Sequence, residues 1–268
     1  MGALNITLHE RFIERIQPIL MQDDRFVGLL AGGSMMQGEM DAYSDLDLIV
    51  VYKPEFRDEI MAQRLQIAEG LGHLLAAFTG EHVGEPRLII SLYGPAPLHV
   101  DFKFVTPAEL ESRIEDPVIL WERTPEIGAI LGRTQASQPQ LDLQWIEDRF
   151  WVWVHYGAVK LGRGELFEVM DLIAYLRGTV LGPMILAGQG RPPRGVRKLE
   201  QHSPDAIPEL VETVPAYGAE SCYRALQASI RLYRRLRQPH SDKLTLREDA
   251  EQAAVNDLNR IFASLSNG

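Results

Sequence analysis

Two carboxylates two residues apart, at the head of an apolar run and downstream of a glycine pair, are the residues best placed to do chemistry. Asp45 and Asp47 flank Leu46, and the run that follows, LDLIVVY, reads as a buried strand. Residues two apart in a strand point to one face, so both carboxylates project together. Neighbouring carboxylates repel and are costly to desolvate unless a cation neutralises them. A hard divalent ion suits them, and Mg²⁺ takes one or two carboxylates plus substrate phosphates. Upstream, Gly32-Gly33-Ser34 ends a first apolar run, where backbone N–H groups and the Ser34 hydroxyl can approach a phosphate closely. A helical turn over residues 34–40 would add a dipole that favours an anion. A phosphate cradle facing a carboxylate pair is what metal-assisted nucleotide chemistry requires. No GxxxxGK[ST] stretch occurs, which excludes a P-loop.

Gly33-Ser34, ten further residues, then Asp45-Leu46-Asp47 running into an apolar strand resembles the signature of the DNA polymerase β-type nucleotidyltransferase superfamily. The local form, GGS followed by SDLDLIVV, is similar to its small-molecule branch, the aminoglycoside and lincosamide nucleotidyltransferases. The resemblance implies a third carboxylate on a nearby strand. Asp101, in LHVDFKF, fills that place, and the alternation there puts it on one face with His99 and Lys103. The resemblance further implies a two-metal Mg²⁺ site on Asp45, Asp47 and Asp101, and a nucleoside triphosphate, with ATP expected. Its phosphates would lie on the Gly33 N–H and the Ser34 hydroxyl. The implied reaction moves a nucleoside monophosphate, AMP if ATP is the donor, to a hydroxyl of a small molecule and releases pyrophosphate. An aminoglycoside-like antibiotic is the expected acceptor. Two alternatives stand beside it: transfer to a protein or a tRNA end, as by toxin-like members, and a non-catalytic nucleotide-binding regulator. A binding module with structural aspartates is the reading from outside the family.

Trp145, Arg149, Trp153, Tyr156 and Lys160 lie at spacings of three and four and share one helix face. The antibiotic nucleotidyltransferases resemble this arrangement, with a Tyr-x-x-x-Lys helix, and the resemblance implies that Lys160 reaches the triphosphate. The plainer reading is a surface lysine closing a core helix. Glu165, Glu168 and Asp171 open the next helix, where acidic residues complement the dipole; Glu168 is also an expected acceptor contact. Arg191, Arg194, Arg197 and Lys198 read as a solvated loop.

The net charge of −10 speaks against a long nucleic-acid partner, whose grip depends on a basic footprint, and is compatible with a small cationic acceptor. Cys222 is the only cysteine, so no internal disulfide is possible. The first residues, MGALNITLHERFIERI, mix charges into their apolar positions and lack a signal-peptide core. No apolar run is expected to span a membrane. A reducing cytoplasm is the expected location.

The elements that must position these residues follow from periodicity. Residues 6–21 predict a helix, 26–31 a strand and 46–52 the aspartate strand. Residues 55–78 predict a long amphipathic helix interrupted by Gly70 and Gly72. Strands at 87–93 and 98–104 join through Gly94-Pro95-Ala96-Pro97, and Thr106 caps a short helix with Pro107 at its first position. The turn-rich TQASQPQ at 134–140 divides the chain. The expected fold is α/β plus all-α. Residues 1–135 would form a nucleotidyltransferase domain with a small mixed sheet. Residues 141–268 would form a helical bundle, with helices at 143–161, 166–187 (disturbed near Gly182-Pro183), 208–214, 219–236 and 244–265.

Overall fold

The structure, a computed structural model, describes residues 2–36, 38 and 40–266; the side chains of residues 2–7, 34, 36 and 266 lie outside the description. It divides into two compact units, Met1–Gln138 and Pro139–Gly268.

In the first unit, α1 (Gly2–Gln22) leads to β1 (Phe26–Ala31), the single turn α2 (Gly33–Met36) and β2 (Leu46–Tyr52). Then come α3 (Arg57–Gly70), β3 (Leu74–Thr79), β4 (Leu88–Tyr93), β5 (Leu98–Val105), β6 (Val118–Glu122) and α4 (Glu126–Arg133). The six strands form one mixed sheet in the order β3-β4-β5-β2-β1-β6. Only β2 and β5 run parallel.

The two faces of that sheet are covered differently. Leu46, Leu48 and Val50 of β2 and Val100, Phe102 and Phe104 of β5 pack with Phe12, Ile16 and Leu20 of α1 and Ile60 of α3. Each such buried side chain contributes roughly 1.5–3 kcal/mol, so this face sets the register. On the opposite face, Leu30, Val51 and Val105 pack against Leu110 and against Ile127 and Ile130 of α4. Gly28 makes that approach possible, since a Cβ there would lie 2.2 Å from the Ile127 Cδ1. The apolar cover reaches the far ends of β2 and β5 and leaves Asp47 and Asp101, nearer their starts, only half-buried.

Several expectations are corrected here. The helix expected over 55–78 ends at Gly70, and residues 74–79 form the edge strand β3. Two glycines within three residues cost helix stability, and the free edge of β4 offers LLAAFT a backbone partner. Strand β6 and helix α4 were not anticipated. Of the helical turn expected over 34–40, a single turn is present at Gly33–Met36, and residues 37 and 39 lie outside the described residues.

The second unit is helical: α5 (Leu143–Gly162), α6 (Leu166–Leu176), α7 (Gly182–Gly188), α8 (Leu199–His202), α9 (Ile207–Glu212), α10 (Ala219–Arg237) and α11 (Glu248–Ser266). The expected break near Gly182-Pro183 is a π-helical turn at Arg177–Leu181, placed just before the proline that has no N–H to donate. The span Leu166–Gly188 has the length and apolar composition of a membrane-crossing helix, contrary to expectation, yet 56% of its 18-residue apolar window is buried inside the structure.

One buried carboxylate organises this bundle. Glu147 is fully buried and accepts hydrogen bonds from Tyr233 Oη (2.5 Å), Arg237 Nη1 (2.9 Å), Trp151 Nε1 (3.2 Å) and the Arg247 N–H (2.9 Å). Burial alone would raise its pKa, but these donors outweigh it and hold the carboxyl below its ordinary value of 4.5. The group therefore stabilises the folded state fully above that value, and the contribution is lost as pH falls through the lower folded one. Glu147→Ala is expected to cost about 3 kcal/mol, because Arg237 and Tyr233 lose their buried partner. Urea unfolding at neutral pH checks this, and Glu147→Gln should flatten the acid limb of stability against pH.

Candidate active site

The site is assembled by strand register. In the parallel β2–β5 pair, Asp47 lies directly opposite Asp101, and Leu46 opposite Val100. Paired residues in adjacent strands share a face, so the pattern that buries Leu46, Val100 and Phe102 forces Asp47 and Asp101 out side by side. Asp45, two residues before Asp47, is close enough to Asp101 for its charge to raise the Asp101 pKa.

Desolvation is the main reason that the Asp101 carboxyl sits above its ordinary range. His99 opposes the shift, with Nε2 2.8 Å from Asp101 Oδ1 on the same strand face. Lys103, the next residue on that face, is engaged elsewhere, with its Nζ 2.8 Å from Glu85 Oε2. Arg87, Lys103 and their charges hold Glu85 at about 2, with the Arg87 hydrogen bond the largest cause.

The glycine pair meets the carboxylates from β1. The Gly32 N–H donates to the Asp47 carbonyl at 2.7 Å and extends the β1–β2 ladder by one step past Ala31. Gly33 then turns into left-handed backbone, φ +58°, and a Cβ there would lie 1.9 Å from Asp47 Oδ2. Glycine is thus required twice, for its backbone angle and for the space that Asp47 fills. Ser34 follows in the same turn, and its side chain lies outside the described residues.

Sequence reasoning missed Glu115. Its Oε1 accepts the Gly33 N–H at 3.3 Å and lies 3.3 Å from where a Gly32 Cβ would be. The pairing of β6 with β1, Ala31 opposite Val118, brings the segment before β6 to the Gly32-Gly33 turn. Recognising β6 in the sequence was the one signal that would have exposed it.

Among the described residues no three Asp, Glu, His or Cys side chains converge as a metal-binding cluster. Register brings Asp47 and Asp101 opposite one another, with Asp101 Oδ1 2.8 Å from His99 Nε2 and Asp47 Oδ2 in the space beside Gly33. The donor set still fits Mg²⁺ chemically: hard carboxylate oxygens on adjacent strand positions, with Asp101 destabilised by burial and by Asp45.

In the second unit, Lys160 is the centre of its own cluster. Its Nζ donates to Glu165 Oε2 at 2.5 Å, lies 3.7 Å from Glu168 Oε2 and stands 5.3 Å from the Tyr156 ring centroid. Tyr156 Oη donates to Glu168 Oε2 at 2.7 Å. The Glu165 contact raises the lysine pKa, which keeps the ammonium charged. Nearby on the same helices, Trp145, Trp153 and Tyr175 form a chain of ring contacts at 5.6 and 5.2 Å, with Arg149 over Trp145.

Among solved structures, an aminoglycoside 6-adenyltransferase from Bacillus subtilis is similar over 94% of this chain and 97% of its own, at 15% identity and a TM-score of 0.44. A nucleotidyltransferase-like protein from Exiguobacterium sibiricum is similar over 85% of this chain and 75% of its own, at 11% identity and a TM-score of 0.36. No family model and no curated protein sequence matches the chain.

Gly33→Ala is expected to lose about 1–2 kcal/mol from the left-handed backbone and to drive the Asp47 carboxylate from its position. Gly32→Ala meets only ordinary or slightly tight contacts, the nearest at 3.3 Å, and serves as the comparator. Urea unfolding and Mn²⁺ titration of both variants check this. Equal metal affinity in Gly33→Ala and Gly32→Ala would show that the Asp47 carboxylate needs no such space.

Proposed function

We propose that the chain is a Mg²⁺-dependent nucleotidyltransferase that moves a nucleoside monophosphate from a nucleoside triphosphate to a hydroxyl of a small molecule. The observation that carries this reading is the parallel register that sets Asp47 beside Asp101, with the Asp45 charge acting on Asp101. Asp45, Asp47 and Asp101 would hold Mg²⁺, which supplies charge neutralisation and Lewis acidity for phosphoryl chemistry.

The chain's own groups do the rest. The Gly33 N–H and the Ser34 hydroxyl are assigned to the β- and γ-phosphates, and Lys160 to charge that remains on the triphosphate. Asp101 accepts the proton of the acceptor hydroxyl, directly or by favouring its ionised form at the metal. The acceptor oxygen forms a bond to the α-phosphorus as the bond from that phosphorus to the α–β bridging oxygen breaks. Pyrophosphate leaves with the bonding electron pair. His99, on Asp101 Oδ1, orients the carboxylate for this transfer.

ATP is the donor to test first. An aminated acceptor of the aminoglycoside kind is supported by the net charge of −10 and by the aromatic chain Trp145–Trp153–Tyr175 on helices that also bear Glu168 and Asp171. Glu168 is the proposed acceptor contact.

The test is pyrophosphate release from each of the four nucleoside triphosphates with Mg²⁺ and a panel of aminoglycoside and lincosamide acceptors. Acceptor-dependent release is expected, reduced about a thousandfold in Asp101→Asn with its circular dichroism unchanged. Full activity in that variant removes Asp101 from the scheme. Failure of every non-hydrolysable nucleotide to bind with Mg²⁺ in calorimetry overturns the nucleotide reading itself.

A further inference from the structure

Asp101 stands in a row of residues that crosses four strands. Phe78 of β3 pairs with Ile90 of β4, Ile90 with Asp101 of β5, and Asp101 with Asp47 of β2. Residues paired in this way share a sheet face, with Cβ atoms roughly 4.5–5.5 Å apart in antiparallel pairs. A second row runs beside the first, from Ala76 through Leu92 to His99. Beyond β5, then, both rows are apolar: Ile90 and Phe78 in one, Leu92 and Ala76 in the other.

These side chains are left open where their neighbours are covered. Ile89 and Tyr93 alternate onto the opposite face and are buried with Phe12 of α1. On the side of Asp101, the packing under α4 takes in Leu30, Val51 and Val105 and leaves out Ile90, Leu92 and Phe78. Phe78 is 52% exposed and Leu92 38%, with Ile90 half-buried between Phe78 and Asp101. The His82 ring, 5.5 Å from that of Phe78, gives this shelf an aromatic edge. In the next row, Leu88 pairs with Lys103, whose ammonium is engaged by Glu85 at 2.8 Å.

The order of strands decides what can lie there. In-line displacement puts the attacking and leaving oxygens on opposite sides of the phosphorus. The sheet runs β3-β4-β5-β2-β1, and the Gly33-Ser34 turn, assigned to the leaving phosphates, follows the end of β1. With Asp101 of β5 taking the acceptor proton, attack comes from the side of β4, and the body of the acceptor extends over the apolar shelf.

We propose that Phe78, Ile90 and Leu92 form the acceptor subsite and select a molecule whose reactive hydroxyl adjoins an apolar, ring-sized face. The inference rests on the nucleotidyltransferase reading above and names the acceptor class more narrowly. An acceptor polar on every side would give up hydration over the shelf and find no hydrogen-bonding side chain there to replace it. An apolar ring instead removes its own surface and that of Phe78 and Leu92 from water.

Calorimetric titration of the full chain, loaded with Mg²⁺ and a non-hydrolysable ATP analogue, tests this with phenyl β-glucoside and methyl β-glucoside. The two share every hydroxyl and differ only in the apolar group. Wild type is expected to bind the phenyl compound about tenfold more tightly. Phe78→Ala and Leu92→Ala, folded by circular dichroism, are expected to bring the two affinities together. Leu75→Ala, at a side chain 49% exposed on the same edge strand but outside both rows, is expected to keep the wild-type preference. No preference in wild type, or an unchanged one in both Phe78→Ala and Leu92→Ala, overturns the subsite, and the nucleotide reading survives if the analogue still binds. Failure of the analogue to bind overturns that reading and this inference with it. A dimer in light scattering that Phe78→Ala splits into monomers assigns the face to a second copy of the chain and also overturns the subsite.

Discussion

The parallel pairing of β2 with β5 is the constraint on which the candidate site depends. Asp45 and Asp47 are neighbours along the chain, but Asp101 reaches them only because α3, β3 and β4 carry the chain across and return it beside β2. The register is enforced from below. Val100, Phe102 and Phe104 must face the core under α1 and α3, and a slip by one residue would bury Asp101 there and expose phenylalanines instead. Hydrophobic packing on one face of the sheet therefore fixes carboxylate chemistry on the other.

That chemistry is held in tension. Three aspartates share one strand-end region, with a fourth carboxylate, Glu115, at the turn beside them. Burial and mutual repulsion push Asp101 up, and a single imidazole on a half-exposed side chain opposes them. The site differs in this from the buried Glu147 of the helical unit, where Tyr233, Arg237, Trp151 and a backbone N–H satisfy the carboxylate completely. A carboxylate satisfied on every side stabilises a bundle. Carboxylates brought to one strand-end region, with one of them pushed toward its neutral form by burial and a neighbouring charge, are suited to taking up a cation.

Much of this was legible in the sequence, for definite reasons. The period of two put Asp45 with Asp47 and put Asp101 with His99 and Lys103, while the joining of Asp101 to the pair was implied only by the family resemblance and is a product of the β2–β5 register. The need for glycine at position 33 was visible as a motif, although its second cause, the Asp47 carboxylate in the space of its Cβ, required coordinates. Strand β3 was hidden because Glu55 to Leu71 begins with helix-forming residues and LLAAFT has no strict alternation. Its identity comes from the partner β4, a tertiary effect. Strand β6 is five residues long with no fully buried member, so it carries little pattern, and Glu115 was invisible with it. Nothing local marks Glu115, whose position is a product of β6 register.

A common logic links two groups assigned to phosphate in separate units. The Gly33 N–H is received by Glu115, and the Lys160 ammonium by Glu165 and Glu168. Each is thereby oriented by an anion of the chain's own, which on the proposed function a phosphate oxygen would have to replace. Exchange is close to neutral when one anion simply replaces another at the same donor, since hydrogen bonds are traded rather than created. On the proposed function, net affinity would then come from a cation held by Asp45, Asp47 and Asp101. If that reading holds, the metal, and not the donor groups, would supply most of the driving force for holding a triphosphate, because only the metal adds an interaction that the chain's own anions do not already make.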